Sequence, residues 1–235
     1  MDKTGSNKIG TERSALKQRI FLILMLSLPV LFFGLVEAGL RLGGYGDDYP
    51  LFEPIPGFPD YLRPNEEVAR RYFVSIQNVP GIPFDSFKAR KDSGAFRIFV
   101  QGGSTAAGFP FYFGGSFPDM LEQRLWQTFP GKTIEVVNTA MAAVNSYTLA
   151  DLADDIIEEE PDLVLIYAGH NEYYGALGVG SSESFGRSPA VVRTYLKLKD
   201  LRLVQALRSL LSSIASSVGG KQAGERPGAT LMERM

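Results

Sequence analysis

The sequence contains no cysteine and a single histidine, His170. The first absence excludes disulfides, thiolate metal ligands and a cysteine nucleophile. The second leaves too few imidazoles for a histidine-based zinc site. Charge is nearly balanced, with 24 Lys+Arg against 26 Asp+Glu and a net charge of −2, so there is no basic excess of the kind that binds nucleic acid. A phosphate-cradling P-loop is excluded because no lysine precedes Ser104 or Thr105. No metal and no cofactor is expected.

What is present is an ordinary globular supply of side chains, 45% apolar and 21% charged over 235 residues, preceded by a segment of a different kind. Ile20 to Val36 carries no charge, and with Glu37 to Leu40 it approaches the ~20 residues that cross a bilayer. Lys3, Lys8, Arg13, Lys17 and Arg19 precede it, against Asp2 and Glu12. The positive-inside rule then leaves residues 1–19 as a cytoplasmic basic leader and puts the bulk of the chain on the periplasmic or extracellular side of the inner membrane. Residues 20–41 read as an uncleaved single-pass anchor whose partner is the lipid bilayer, with Arg41 at its far edge and Pro29 a site for a kink. A cleaved signal peptide is the rival, but the apolar run is long for one and no clear A-x-A site follows. The leader itself is expected to lack regular structure.

Residues 42–94 read as an extended connector. Prolines at 50, 54, 56, 59, 64, 80 and 83 interrupt regular structure, and interspersed Tyr and Phe suit packing along a domain. From residue 95 strands and helices alternate. Arg97–Val100 is a short apolar strand. Ser116, Pro118 and Asp119 form a helix start, with a Ser cap, a first-turn proline and an acid three residues on. Ile134–Val137 is the next strand. Tyr147–Glu159 is a helix with Leu149, Leu152, Ala153, Ile156 and Ile157 on one face. Leu163–Tyr167 is a continuous apolar strand, as expected in the middle of a parallel sheet. The alternation predicts an α/β sandwich with right-handed crossovers. Ser188-Pro189 opens a helical stretch to about Ser216. Its apolar residues fit either core packing behind a solvated basic face or an amphipathic helix lying on a membrane. Residues 218–229 are loop-like, and no internal repeat is visible.

Sites in open α/β sheets form at the carboxyl ends of strands. The first strand ends in Gly102-Gly103-Ser104-Thr105, a small-residue turn that can present a nucleophilic hydroxyl. The second leads into Asn138 to Ser146. The third ends in Gly169-His170-Asn171-Glu172. A serine near neutral pH acts only if a base and oxyanion donors converge on it, and an Asn amide can donate to an oxyanion without competing as a base. A plain strand-to-helix turn at Ser104, with Asn171 as a turn cap, is the structural alternative. The G-x-S-x-G elbow is approached but Ala106 fills its last glycine position. Asp154-Asp155 and Glu158-Glu159-Glu160 fall mostly away from the apolar helix face and read as solvated. Tyr173-Tyr174 fit either substrate stacking or loop packing.

These three blocks resemble those of the SGNH, or GDSL-type, hydrolase superfamily. GGSTAAGFPF and YAGHNEYYG are similar to a bacterial membrane-anchored subgroup, some members of which carry tetratricopeptide repeats. The resemblance covers about residues 96–180. It implies a three-layer sandwich around a parallel sheet, of flavodoxin-like type. It also implies Ser104 as nucleophile in the Gly103-Ser104 turn, with its own N–H as one oxyanion donor. Ala143 stands where the family has glycine and offers a backbone N–H as the second donor. Asn171 supplies the third through its side chain. Glu172 replaces an aspartate that the family does not generally use in the chemistry. The base is a histidine in a late Asp-x-x-His block, which these 235 residues do not contain, and His170 adjoins Asn171, so the two side chains tend to diverge. The expectation is therefore an incomplete hydrolase domain over residues 95–235, with little activity as it stands. The expected substrate is an acyl ester or acylated glycan. A non-catalytic anchored module that binds a glycan or protein, and an acyltransferase on cell-envelope sugars, remain the alternatives.

Overall fold

A computed structural model describes residues 5–73, 79–111, 114–178 and 188–219. The chain forms two compact units, one of residues 1–47 with 200–207 and the other of residues 48–199 with 208–235.

The first unit is dominated by helix α1, Gly5–Leu42. The helix continues through Pro29 and reaches back to Gly5, so residues 5–19 are helical and not irregular as expected. Ala15, Leu16, Lys17, Gln18 and Arg19 are strong helix formers, and extending an existing helix avoids the cost of nucleation. From Lys17 to Leu42 the helix is long and apolar enough to cross a membrane. Its large apolar side chains between Ile20 and Leu35 are 49% to 74% exposed, which separates it from a buried core helix. At its far end the Glu37 carboxylate accepts from the backbone N–H groups of Arg202 (3.0 Å) and Leu203 (2.8 Å), in the first turn of helix α7, Arg202–Gly219. First-turn N–H groups have no partner within their own helix, and a carboxylate there also meets the positive end of the helix dipole. Arg41 completes the joint, donating to Glu37 (2.7 Å) and to the Asp200 carbonyl (3.2 Å).

In the second unit the proline-rich connector is folded. Strands β1 (Phe52–Ile55), β2 (Phe58–Pro64) and β3 (Phe87–Lys88) make an antiparallel sheet in that order, and Val68–Arg71 is a 3-10 turn. Pro56-Gly57 makes the first hairpin turn, with Gly57 at φ +84 as a Pro-Gly turn requires. Leu51, Val68, Ala69, Tyr72 and Phe87 are buried, so the aromatics bring the connector onto the domain despite its prolines.

The main sheet is parallel, in the order β5-β4-β6, from β4 (Phe96–Gly102), β5 (Ile134–Asn138) and β6 (Leu163–Tyr167). Ile98, Val100, Ile134 and Val136 form one buried cluster, against which Phe117 and Leu125 of α3 (Phe117–Thr128) pack. Phe99, on the alternate parity, meets Phe52 and Phe87 of the small sheet. Ser116 caps α3 by accepting from the Asp119 N–H at 3.2 Å, as the sequence predicts. The helix expected over 147–159 is two, α4 (Ser146–Asp151) and α5 (Ala153–Glu158), broken at Leu152. Ile157 is exposed, and Asp155 is ion-paired with Arg71 at 2.8 Å, so neither fits the uniform faces expected of one helix. The last helical stretch is also two elements, α6 (Pro189–Leu198), with Ser188 at its N-cap, and α7. Most of the loop expected at 218–229 lies outside the described residues.

β6 departs most from expectation. It pairs with β4 alone among the described strands, and Leu163, Val164, Ile166 and Tyr167 are all exposed. A continuous apolar run marks a strand meant for burial on both faces, and here it stands at an edge.

Two carboxylic acids close the opposite edge. Glu122 of α3 accepts from the Val136 N–H (3.4 Å), and Asp85 accepts from the Asn138 N–H (2.9 Å). Burial, opposed by those hydrogen bonds, pushes Glu122 up to about 7 and Asp85 up to about 6. Both folded values exceed the unfolded ones, so the folded chain holds extra protons. The resulting stability is fully present below the unfolded values and is lost as pH rises through about 6 to 7. Glu122→Gln keeps an acceptor for Val136 and removes the charge. Its melting temperature should exceed that of the parent at about pH 8 and converge with it at about pH 5. A constant difference across that range would show that Glu122 does not titrate in this way.

Candidate functional site

Parallel pairing brings three strand ends to one edge of the sheet. Gly102 is level with Tyr167, and Val100 with Asn138. The Thr139 N–H donates to the Val100 carbonyl (2.9 Å) and the Met141 N–H to the Gly102 carbonyl (3.1 Å), so the segment after β5 lies along the end of β4. Gly102 cannot carry a side chain, because a Cβ would lie 2.2 Å from the Tyr167 carbonyl oxygen.

Ser104 opens the short helix α2, Ser104–Ala107, with Gly103 as its extended cap residue. The residue is half-buried at the start of a turn whose first N–H groups have no partner within the helix. Asn138 braces this turn from below. Its Nδ2 donates to the Ala106 carbonyl (3.0 Å) while its Oδ1 accepts from the Ala140 N–H (3.1 Å).

Asn171 reaches the same turn from β6. Its Nδ2 stands 3.0 Å from the position that a Cβ on Gly103 would occupy. Any residue but glycine at 103 therefore presses on the amide next to Ser104. Gly103 thus lets the Asn171 amide approach closely, which the sequence alone did not reveal.

Ala143 has φ +58, the left-handed region that favours glycine. The alanine singled out in the sequence thus falls where a β-carbon is costly. The conformation is held by its neighbours, since the Ala176 N–H donates to the Ala143 carbonyl at 2.7 Å and the Gly175 N–H to the Asn171 carbonyl at 2.7 Å. Sequence reasoning missed one further tie. The Glu172 carboxylate accepts from the Ser146 N–H (3.0 Å) and the Ser146 hydroxyl (2.7 Å), fastening the segment that carries Asn171 to the start of α4. The available signal was Asn145-Ser146 ahead of an apolar helix pattern, a helix start in need of acceptors. Asn145 caps that helix through Oδ1 to the Tyr147 N–H, whereas its buried Nδ2 and the buried Thr148 hydroxyl have no hydrogen-bond partner among the described residues.

His170 is exposed, and its ring packs against Tyr167 with centroids 5.8 Å apart. Tyr173 and Tyr174 are also exposed and pack edge-to-face on each other, at 4.7 Å. Among the described residues, no cluster of three or more His, Cys, Asp or Glu is arranged to hold a metal ion.

Searches of protein families, curated proteins and solved structures find no match to this chain.

The strain at Ala143 is testable. Ala143→Gly should stabilise the fold by about 1 kcal/mol, the cost of a left-handed alanine less the extra flexibility of glycine when unfolded. Thermal melting in detergent checks this, and a loss of stability would show that the observed φ carries no strain.

Proposed function

We propose that the chain is a membrane-anchored ester hydrolase of the SGNH type, with Ser104 as its nucleophile. The observation that carries the proposal is the approach of the Asn171 amide to the Gly103-Ser104 turn, at the level where the β4 and β6 ends align. In this mechanism the Ser104 hydroxyl attacks an ester carbonyl carbon and gives up its proton to a base. The negative oxygen of the tetrahedral intermediate is held by the N–H groups of Ser104 and Ala143 and by the Asn171 side chain. Collapse expels the alcohol, which takes the proton back, and water then releases the acyl group from Ser104.

The exposed His170 ring packs on Tyr167, which argues against it as the base. The mechanism requires a histidine presented to Ser104 by a segment other than these strand ends, as the Asp-x-x-His block does in the superfamily. The sheet would be the core of a three-layer sandwich, a view supported by α3 on one face and by the Gln101 amide donating to the Leu149 carbonyl of α4 (3.2 Å). The basic leader favours a cytoplasmic N-terminus, which sets the site on the periplasmic or outer side, facing acyl esters or acylated glycans of the envelope. Transfer of the acyl group to a sugar uses the same site. The lack of an Asp-x-x-His block and the alanine at 143 motivate a second possibility, an anchored module that binds such ligands without turnover.

A fluorophosphonate probe on the full-length protein in its native membrane separates these readings. The parent should be labelled and Ser104→Ala should not. Asn171→Ala should be labelled about 10²- to 10³-fold more slowly, the loss typical of one oxyanion donor. Equal labelling of the parent and Ser104→Ala would sink the proposal. Binding of an acylated glycan with no labelling of either would favour the module.

A further inference from the structure

The joint between α1 and α7 fixes where α7 begins. The uncharged run Ile20–Val36 is seventeen residues. At a helical rise of 1.5 Å per residue it spans about 25 Å, close to the ~30 Å of a bilayer's hydrocarbon. Glu37 is the first charge after that run, so it belongs at the membrane–water interface. Its carboxylate holds the first-turn N–H groups of α7 at 2.8 and 3.0 Å. Gln205, one turn on, donates to the Asp47 carbonyl (3.0 Å) and accepts from the Asp47 N–H (3.2 Å), which extends the attachment to the segment leaving the membrane.

α7 therefore starts at the interface, and its side chains suit that place. Leu207, Leu210, Leu211 and Ile214 follow the i, i+3, i+4, i+7 spacing of one helix face and are 51% to 58% exposed. Ser209 and Ser213 lie on the other side of the helix. The α7 sequence carries only two charged side chains, Arg202 and Arg208. Arg208 is engaged with the Tyr195 hydroxyl and with the Arg71 and Tyr72 carbonyls. A helix with bulky apolar residues on one face and serines on the other binds bilayers through buried apolar area, with little attraction to anionic headgroups.

We propose that α7 lies on the bilayer that α1 spans, with Leu207, Leu210, Leu211 and Ile214 inserted at the headgroup–acyl boundary. The proposal rests on α1 being a membrane span and is independent of the hydrolase chemistry. It gives the chain a second membrane contact beyond a single spanning helix.

The cysteine-free sequence allows a direct test. Single cysteines at Leu211, Ser209 and Leu28 are labelled with a polarity-sensitive nitrobenzoxadiazole dye, and the full chain is reconstituted in phosphatidylcholine vesicles. Quenching is measured with aqueous iodide and with lipids spin-labelled near the headgroup. If the proposal holds, the dye at Leu211→Cys is blue-shifted, quenched by the spin-labelled lipid and protected from iodide. The dye at Ser209→Cys stays accessible to iodide. Iodide quenching at Leu211→Cys equal to that at Ser209→Cys, with Leu28→Cys protected, overturns the proposal and leaves the anchor intact. Protection of Leu211→Cys from both quenchers means that protein covers the face, and it overturns the proposal as well. Iodide access at Leu28→Cys removes the membrane span itself, and the proposal with it.

Discussion

One guanidinium ties the second unit together. Arg97 lies in the central strand β4 and is 1% exposed. Its Nε donates to Glu135 of β5 (2.7 Å), one Nη to the Glu159 carbonyl after α5 (2.8 Å) and the other to the Lys88 carbonyl of β3 (2.7 Å). The group also sits over the Phe87 ring, 4.9 Å from its centre. A guanidinium stripped of water costs several kcal/mol unless all its donors are used, and removing one partner of a buried pair typically costs about 3–5 kcal/mol. The small sheet, β5 and the end of α5 are thus coupled through this one side chain. The Arg97 N–H adds the Asp162 carboxylate (2.7 Å), which sets where β6 begins.

That constraint acts at the amino end of the sheet, and its consequence is felt at the carboxyl end. Once the starts of the strands are fixed beside Arg97, ladder register carries the alignment to Gly102 and Tyr167, from which Ser104 and Asn171 emerge. Precision there is then local. Ala143 is held in a left-handed conformation by the Ala176 N–H, and the 171–176 segment is held to α4 by Glu172 and Ser146. Loops over a candidate oxyanion site need such backbone ties, since small residues at 140, 142 and 143 offer little to pack against.

Much of this was legible in the chain. The three parallel strands, the Ser116 cap, the helix opening at Ser188-Pro189 and the apolar N-terminal helix follow from periodicity, capping and proline placement, because those signals are local. Position 143, whose left-handed backbone favours glycine, was singled out through the family resemblance and not by any local pattern. The small antiparallel sheet was not legible. Its prolines suggest breakage, but Pro54 is on an edge strand, where a missing N–H is tolerated, and Pro56 is in a turn. The breaks at Leu152 and after Leu198 were hidden because the apolar periodicity runs across them. No local pattern marks the role of Arg97, since its partners are 9, 38 and 62 residues away. Glu172 was set aside because the resembled family does not generally use that position in its chemistry. Its role depends on Ser146, 26 residues earlier, which no local pattern connects to it.

The two edges of the main sheet obey one rule with opposite results. A strand edge exposes N–H and C=O groups that must find partners or meet water. On β5 the partners are side chains: Glu122 and Asp85 accept from Val136 and Asn138, and the Trp126 indole N–H donates to the Ile134 carbonyl (3.0 Å). Carboxylates are strong acceptors for this task, but the closure also shields them from water, and that shielding is what raises their pKa values. The raised pKa values of Glu122 and Asp85 are thus accounted for by edge closure, away from the turn that presents Ser104. β6 has no such side-chain closure among the described residues, and its exposed apolar side chains distinguish it from an edge built to face water.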